Sequence, residues 1–235
     1  MNKIQLDPIT IYLIGSSQLT DRNDCCVYLV FNQNDPDSSI LIDAGAGSSQ
    51  SIKTIIRNIE NIGTLKNIRF ILVTHAHIDH IGGLKAIRSH LKRAKIIAHT
   101  YAAKVIEDED PILSVAKWYQ RTLQSTDIDI NITQKYSIKL SVGHFDVIPT
   151  PGHTPGSVIG LLTTPKGRVL FGQDIHGPFM PEFNSDIDQW RQSMQDILCL
   201  ESDYLCEGHF GIIEGRDKVR QFIERYLRQF ISTPE

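Results

Sequence analysis

The chain contains 235 residues, of which 41% are hydrophobic and 22% are charged, and its formal net charge is −3, values typical of globular proteins. No run of Lys and Arg is long enough to follow a nucleic-acid backbone. No stretch approaches the roughly 20 apolar residues of a membrane span, and the first residues lack the apolar segment of a secretion signal. Four cysteines without paired spacing agree with reduced thiols. We therefore expect one domain over residues 1–235 of a cytoplasmic protein, with a small-molecule substrate and without binding to extended nucleic acid or a membrane.

Apolar runs bounded by turn residues predict two groups of short strands. Pro165-Lys-Gly167 is typical of a hairpin turn within the second group. The predicted strands of the first group are 10–14, 26–31, 40–43, 70–74 and 95–98. Those of the second group are 138–140, 146–149, 158–163, 168–171 and 204–206.

Apolar residues at helical spacing predict amphipathic helices near residues 52–62, 84–93 and 219–230. Two of these helices have one clear apolar stripe, which suits packing on one face of a sheet. Together with the two strand groups, this pattern predicts an α/β protein in which two sheets pack together with helices outside. The two stripes are Ile52, Ile55, Ile56, Ile59 and Ile62, and Val219, Phe222, Ile223, Tyr226, Leu227 and Phe230.

The segment around residues 102–132 differs from the rest in character. It begins with the acidic run Glu107-Asp-Glu-Asp110 and continues with aromatic residues at helical spacing. One interpretation is a helical cap insert that shapes a substrate pocket or forms a homodimer contact; the other is a solvated loop followed by a helix packed on the body. The predicted aromatic helix face consists of Val115, Trp118, Tyr119 and Leu123.

Residues 75–80 read His-Ala-His-Ile-Asp-His and directly follow a predicted strand. Because side chains alternate along a strand, His75 and His77 project to the same side. Asp79 and His80 lie in the turn that follows, where the chain can direct them to a second position. Solvated loops have no need of crowded imidazoles, whereas a cation stabilises them beside a carboxylate. The motif therefore predicts two adjacent metal positions at one strand end.

Three further residues occupy comparable positions later in the chain. His153 lies in a turn rich in proline and glycine, Asp174 follows the apolar run 168–172, and His209 follows the run 204–208. Each of them alone would be assigned to a turn, a helix cap or the surface. Three strand ends that offer His, Asp and His, added to the first motif, indicate one shared site.

Other polar residues near these motifs have open interpretations. His176, two residues beyond Asp174, is either a substrate contact or proton relay in the cleft, or a structural residue. Asp43 either supports the site from behind the ligands or stabilises its own turn. Structural roles are expected for the histidines without a motif partner, which are His90, His99 and His144.

These motifs resemble those of the metallo-β-lactamase-fold hydrolases, and the resemblance covers nearly the whole chain. It implies a four-layer αββα sandwich, with two mixed sheets, helices on the outer faces and the site at one edge between the sheets. The resembling segments are Leu41-Ile-Asp-Ala-Gly45, Thr74-His-Ala-His-Ile-Asp-His-Ile-Gly-Gly83, Thr150-Pro-Gly-His-Thr-Pro-Gly-Ser157, Leu170-Phe-Gly-Gln-Asp174 and Glu207-Gly-His209.

The resemblance also implies two divalent metal ions, one held by His75, His77 and His153 and the other by Asp79, His80 and His209. Asp174 would bridge the two ions. Zinc fits this mixture of imidazole and carboxylate, and iron and manganese also fit it.

Two such ions would share a water and hold the resulting hydroxide as the nucleophile, while Asp79 orients it or relays its proton. Among resembling families, a bridging aspartate is typical of thioesterases, lactonases and phosphodiesterases rather than of β-lactamases. Glyoxalase-II-like enzymes carry a longer C-terminal region than the short one that follows His209 here. We therefore expect a glyoxalase-II-like or lactonase-like hydrolase of a small ester, thioester or lactone. The alternatives are a phosphodiesterase, an iron-containing oxidoreductase of the same fold, and a metal-containing binding module.

Overall fold

The first of two β-sheets contains the N-terminal strands. In this computed structural model, which describes residues 2–231, seven strands lie side by side in chain order. Strands β1 to β4 pair antiparallel, and β4 to β7 pair parallel, so the sheet is mixed. Its strands are β1 (Lys3–Leu6), β2 (Ile9–Gly15), β3 (Val27–Asn32), β4 (Ser39–Ile42), β5 (Ile68–Leu72), β6 (Lys95–His99) and β7 (Ile130–Ile132).

The second sheet contains six strands in the order β13-β12-β11-β10-β9-β8. All neighbouring pairs are antiparallel except β11 and β12, which run parallel. Its strands are β8 (Tyr136–Lys139), β9 (His144–Pro149), β10 (Val158–Thr164), β11 (Gly167–Gln173), β12 (Tyr204–Glu207) and β13 (Gly211–Glu214).

Six α-helices lie between or after the strands of the described chain. The first begins where the Ser48 side chain accepts a hydrogen bond from the Ser51 backbone N–H, and it ends at Gly63 in the left-handed conformation. The helices are α1 (Ser49–Ile62), α2 (Ile78–Ile81), α3 (Leu84–His90), α4 (Thr100–Glu107), α5 (Ile187–Leu198) and α6 (Arg216–Ile231). None of the helices in residues 2–231 has the length and apolar character that a membrane crossing requires.

Alternation along the strands separates three apolar layers. Ile40 and Ile42 face the layer between the sheets, where Phe171 also packs, while Leu41 faces a layer that contains α1, α3 and α4 residues. Leu170, beside Phe171, packs with residues of α5 and α6 on the opposite outer face. The chain therefore forms the αββα sandwich with two mixed sheets that its motifs predict.

The prediction of an aromatic helix within the 102–132 segment, with Val115, Trp118, Tyr119 and Leu123 on one face, is wrong. Helix α4 ends at Glu107, and residues 108–120 form successive turns. The Asp110 carboxylate accepts hydrogen bonds from the backbone N–H groups of Ile112 and Leu113, as a helix N-cap does, but the turn that it starts does not continue. Val115 and Gln120 have positive φ angles of 50° and 52°, which an α-helix does not allow.

Candidate metal centre

The first four candidate ligands lie directly beyond the end of β5. His75 and His77 follow the strand in extended backbone, and Asp79 and His80 lie on the single turn of α2. The Val73 N–H donates to the Ile97 carbonyl of β6, so the segment leaves the sheet only just before the first histidine. All four side chains are buried.

The remaining candidate ligands come from the second sheet. His153 lies in the loop after β9, Asp174 directly follows β11, and His209 follows β12. Because β11 and β12 are parallel neighbours, their carboxyl ends meet at the same sheet edge and bring Asp174 and His209 together. Gly208 permits this approach, since a Cβ atom there would lie 2.4 Å from Asp174 Oδ1.

One cluster joins His75, His77 and His153 to Asp174. The His153 Nε2 and His77 Nδ1 atoms are 3.0 Å apart. Asp174 Oδ2 lies 3.7 Å from His153 Nε2 and 3.9 Å from His75 Nε2. These four side chains can present one ligand atom each to a single ion.

The other cluster joins Asp79, His80 and His209 to the same Asp174. Asp174 Oδ1 lies 3.2 Å from His80 Nε2 and 3.2 Å from His209 Nε2. Asp79 Oδ2 lies 3.3 Å from His209 Nε2 and 3.7 Å from His80 Nε2. Each oxygen of Asp174 therefore faces a different cluster.

The spacing of these atoms fits metal ions. Ligand atoms around a tetrahedral zinc ion are separated by about 3.3 Å, and the separations in the two clusters range from 3.0 to 3.9 Å. The buried Nε2 atoms of His75 and His80 and the Oδ1 atom of Asp174 have no hydrogen-bond partner. Buried polar atoms without partners are costly, and coordination of a cation removes that cost.

Supporting hydrogen bonds orient two of the imidazoles. His153 Nδ1 is 2.8 Å from the Pro178 carbonyl oxygen, and His80 Nδ1 is 2.7 Å from Asp43 Oδ2. Asp43 also accepts hydrogen bonds from the N–H and the hydroxyl of Thr74 at 2.8 and 2.7 Å. A hydrogen bond at Nδ1 leaves Nε2 available for a metal, which is the common arrangement around protein-bound ions. The geometry therefore favours the supporting role for Asp43.

The charge states of the two clusters differ. Burial lowers the pKa of His75 and His77 well below the ordinary imidazole value and lowers the pKa of His153 to about 4. Neutral imidazoles are the form that binds metal. In the other cluster, burial disfavours charge on His209, yet the Asp174 carboxylate raises the pKa of His209 to about 10. The carboxylates there attract positive charge, which a divalent ion supplies.

His176 lies at the edge of this centre, close to His209, with their ring centroids 5.5 Å apart. Its Nδ1 atom is 2.7 Å from Oε1 of Glu207, which is fully buried. Oε2 of the same carboxylate accepts the backbone N–H groups of His209 and Phe210 at 2.7 and 3.0 Å. Glu207 begins the Glu-Gly-His motif, but the motif alone did not indicate this role. It positions both His176 and the loop that carries His209.

A cavity of about 190 Å³, called here the site cavity, opens over the two clusters. Three of its lining residues belong to the 108–120 turns, so this part of the 102–132 segment lies against the centre without being helical. Sequence patterns did not indicate Phe183 or Pro178, which also line it. The lining residues are His77, Asp79, Val115, Trp118, Tyr119, Asp174, His176, Pro178, Phe183 and His209.

Besides His176, three histidines lie outside both clusters, as expected. The His99 Nδ1 atom accepts a hydrogen bond from the Tyr101 N–H at the start of α4, and His144 lies 3.5 Å from Asp146 Oδ2. His90 is the last residue of α3. One residue that the sequence did not indicate is Cys25, which is fully buried and forms a third group of potential ligand atoms with Asp43 and His80.

Comparison with known proteins defines the class to which this fold and centre belong. Residues 21–209 match the metallo-beta-lactamase superfamily, and the chain belongs to that superfamily. It therefore carries the His/Asp cluster of a metal-dependent hydrolase.

Individual proteins of known sequence or structure share 32% identity or less with this chain in the three comparisons that follow. The chain is 28% identical over 226 residues to a probable metallo-hydrolase, YflN, of Bacillus subtilis, covering 81% of this chain and 82% of YflN. It is 32% identical over 149 residues to the uncharacterized protein YobT of the same organism, covering 62% of this chain and only 59% of YobT. A motif mutant of a metallo-β-lactamase from Cronobacter sakazakii has the same fold, with a TM-score of 0.74, 19% identity and coverage of 97% and 93%.

Proposed function

We propose that this chain is a dinuclear metal-dependent hydrolase that cleaves a small ester, thioester or lactone. The observation that carries the proposal is the position of Asp174, whose Oδ1 and Oδ2 atoms face different clusters of ligand atoms. A carboxylate in this position can bridge two cations and hold them close together. The unpartnered Nε2 atoms on both sides support the same assignment.

In this proposal, His75, His77 and His153 hold one ion, Asp79, His80 and His209 hold the other, and Asp174 bridges them. We prefer zinc, and the ligand set also fits iron or manganese. When bound, such a pair of ions supplies a hydroxide nucleophile near neutral pH and polarises a substrate carbonyl oxygen.

The protein side chains position the reacting groups. Asp79 lines the site cavity, and we assign to its carboxylate the orientation of the attacking water and the relay of its proton to the leaving group. His176 lines the same cavity and is oriented by Glu207, so we assign it a contact with the substrate. Six of the seven candidate ligands are buried and His209 is exposed, so bulk water reaches the centre from the side of His209.

A carbonyl substrate is favoured over a phosphodiester by the charge of the site cavity. Within the described chain, no Lys or Arg lines this cavity. A phosphate diester would therefore find no cationic side chain for the oxygens that the ions do not neutralise. A phosphodiesterase is therefore the second candidate, and an iron-containing oxidoreductase the third.

The test is a screen of purified, metal-quantified protein against lactones, thioesters, aryl esters and bis-aryl phosphates. We expect turnover of at least one carbonyl substrate that disappears on chelation and returns with added metal. Turnover of phosphate diesters alone would replace the proposal with the second candidate. Anaerobic metal analysis with an optical spectrum identifies iron, and iron without any hydrolysis would favour the oxidoreductase.

A further inference from the structure

The lining of the site cavity has two chemically different sides. One side consists of the candidate metal ligands and His176. The other side is apolar and aromatic, and we call it the aromatic wall; it consists of Val115, Trp118, Pro178 and Phe183. Tyr119 lies between the two sides, because its hydroxyl group interacts with the Asp79 carboxylate. A substrate whose reacting bond lies at the candidate ligands must therefore place an adjacent group against this wall.

The aromatic wall is held against the metal centre by direct contacts. Phe183 is buried, and its ring centroid lies 4.5 Å from that of His77 and 5.9 Å from that of Trp118. It thus connects a candidate ligand to the outer part of the wall. Such edge-to-face contacts define the orientation of each ring as well as its burial.

Backbone hydrogen bonds hold the same wall in place. The Ile78 N–H at the start of α2 donates to the Ser114 carbonyl at 2.8 Å, which ties the 108–120 turns to the ligand helix. The Trp118 N–H donates to the Val115 carbonyl at 3.0 Å. A wall arranged before substrate binding costs less ordering entropy when the substrate binds.

Trp118 nevertheless keeps 53% of its surface exposed. An exposed aromatic side chain on the rim of a cavity is an apolar surface that a ligand can cover. The site cavity of about 190 Å³ is smaller than the pockets that enclose drug-sized ligands. Its free apolar surface therefore suits a compact group.

The charge of the cavity restricts that group further. Among the residues that the structure describes, no Lys or Arg lines the site cavity. Arg22 lines a separate neighbouring cavity, which shares only Trp118 and Tyr119 with the site cavity. A carboxylate placed against the aromatic wall, on the side away from the candidate ligands, would lose water without gaining a cationic side chain as a partner, which is unfavourable.

We infer that this site takes uncharged substrates in which a compact alkyl or aryl group lies next to the scissile carbonyl and packs against Trp118 and Phe183. The inference rests on the proposed function, because it names the substrates of the same site. It excludes substrates that carry a carboxylate on that group.

The kinetic test compares two esters, p-nitrophenyl butyrate and p-nitrophenyl hemisuccinate, which differ in whether the acyl chain ends in a methyl group or a carboxylate. We expect kcat/KM to favour the butyrate by at least about tenfold. Trp118→Ala should lower kcat/KM for the butyrate by about tenfold, the scale of one apolar contact in an enzyme pocket, and should change the hemisuccinate little. Ile112→Ala is the matched control, since Ile112 is also 53% exposed and lies outside the site cavity.

A binding test with the corresponding amides, butyranilide and succinanilic acid, avoids dependence on turnover. The chain has two tryptophans, and Trp190 is only 1% exposed, so acrylamide quenching reports mainly on Trp118. Butyranilide should protect the fluorescence from quenching, and succinanilic acid should not. Trp118→Phe should abolish the protected signal.

The outcomes separate the inference from the proposed function. Ester turnover without preference for the butyrate, and without protection by butyranilide, would overturn the inference alone. A preference for the hemisuccinate that Arg22→Ala removes would also overturn it and would place the substrate in the neighbouring cavity. Protection of Trp118 without turnover of any ester, thioester or lactone would overturn the proposed function and leave ligand binding at the aromatic wall established.

Discussion

Replacement of Asp174 by asparagine tests the dinuclear centre most directly. The carboxylate is 4% exposed, and its Oδ1 atom lies 3.2 Å from both His80 Nε2 and His209 Nε2. Asparagine has nearly the same shape, but it has no negative charge, and it places an N–H donor where one of the two oxygens faces a cluster. Asp174→Asn should therefore keep the fold and lose the ability to bridge two cations.

The expected loss follows from what remains in each cluster. His75, His77 and His153 still offer three imidazoles to one ion, so that ion should persist. Both ions lose the shared carboxylate, and the ion near His80 should be lost first because one of its remaining ligands, His209, is exposed, whereas His75, His77 and His153 are all buried. Removal of a principal stabiliser of the nucleophile should then lower turnover by at least about a hundredfold.

Metal analysis, circular dichroism and kinetics on one preparation measure the three effects. Asp146→Asn is the matched control, because Asp146 is also 4% exposed and lies on β9, outside both clusters. The control should retain the metal content and turnover of the unmodified protein. Two retained ions with near-normal turnover in Asp174→Asn would refute the bridging role, and with it the argument against a β-lactamase-type site.

Three further predictions concern the same centre. Protein purified without chelator should contain close to two transition-metal ions per chain by elemental analysis, because seven candidate ligands are too many for one tetrahedral ion with an open position; one ion after reconstitution with excess metal would contradict this. His176→Ala should keep the metal content and lower turnover, because it changes a substrate contact and no ligand; unchanged kinetics on every active substrate would assign His176 a structural role. Asp43→Ala should weaken metal affinity by about 10- to 100-fold in a chelator competition, because His80 loses the group that orients it. Unchanged affinity would show that Thr74 and the backbone suffice to orient the ring.

The strands that the sequence did not reveal share a position in the fold. β1, β7 and β13 are edge strands, and the patterns that predicted the central strands are weak in them. A central strand is buried on both faces and is therefore a continuous apolar run, whereas an edge strand is defined mainly by the neighbour with which it pairs. Pairing partners lie far away in the chain, so a local pattern does not report them.

The predicted helix near Trp118 is absent for a related reason. The spacing of the aromatic and apolar residues there fits one face of a helix, but the positive φ angles of Val115 and Gln120 impose turns instead. Val115 and Leu123 are buried in the apolar layer of α1, α3 and α4, while Trp118 contacts Phe183 and lines the site cavity, so these residues do not share one helix stripe. Apolar periodicity indicates only that residues have a common surface to cover, and tertiary contacts decide which surface it is.

The sequence by itself determined the class of this protein and the candidate ligands of its centre, because these residues lie at strand ends within short, unusual motifs. One short segment supplies four of them, His75, His77, Asp79 and His80, and the local sequence is sufficient to determine the backbone geometry of such a segment. Only the tertiary structure decided that both oxygens of Asp174 face different clusters, since this depends on the parallel pairing of β11 with β12 and on the packing of two sheets. The same holds for the aromatic wall: it exists because segments distant in sequence pack together, and no local pattern encodes that contact.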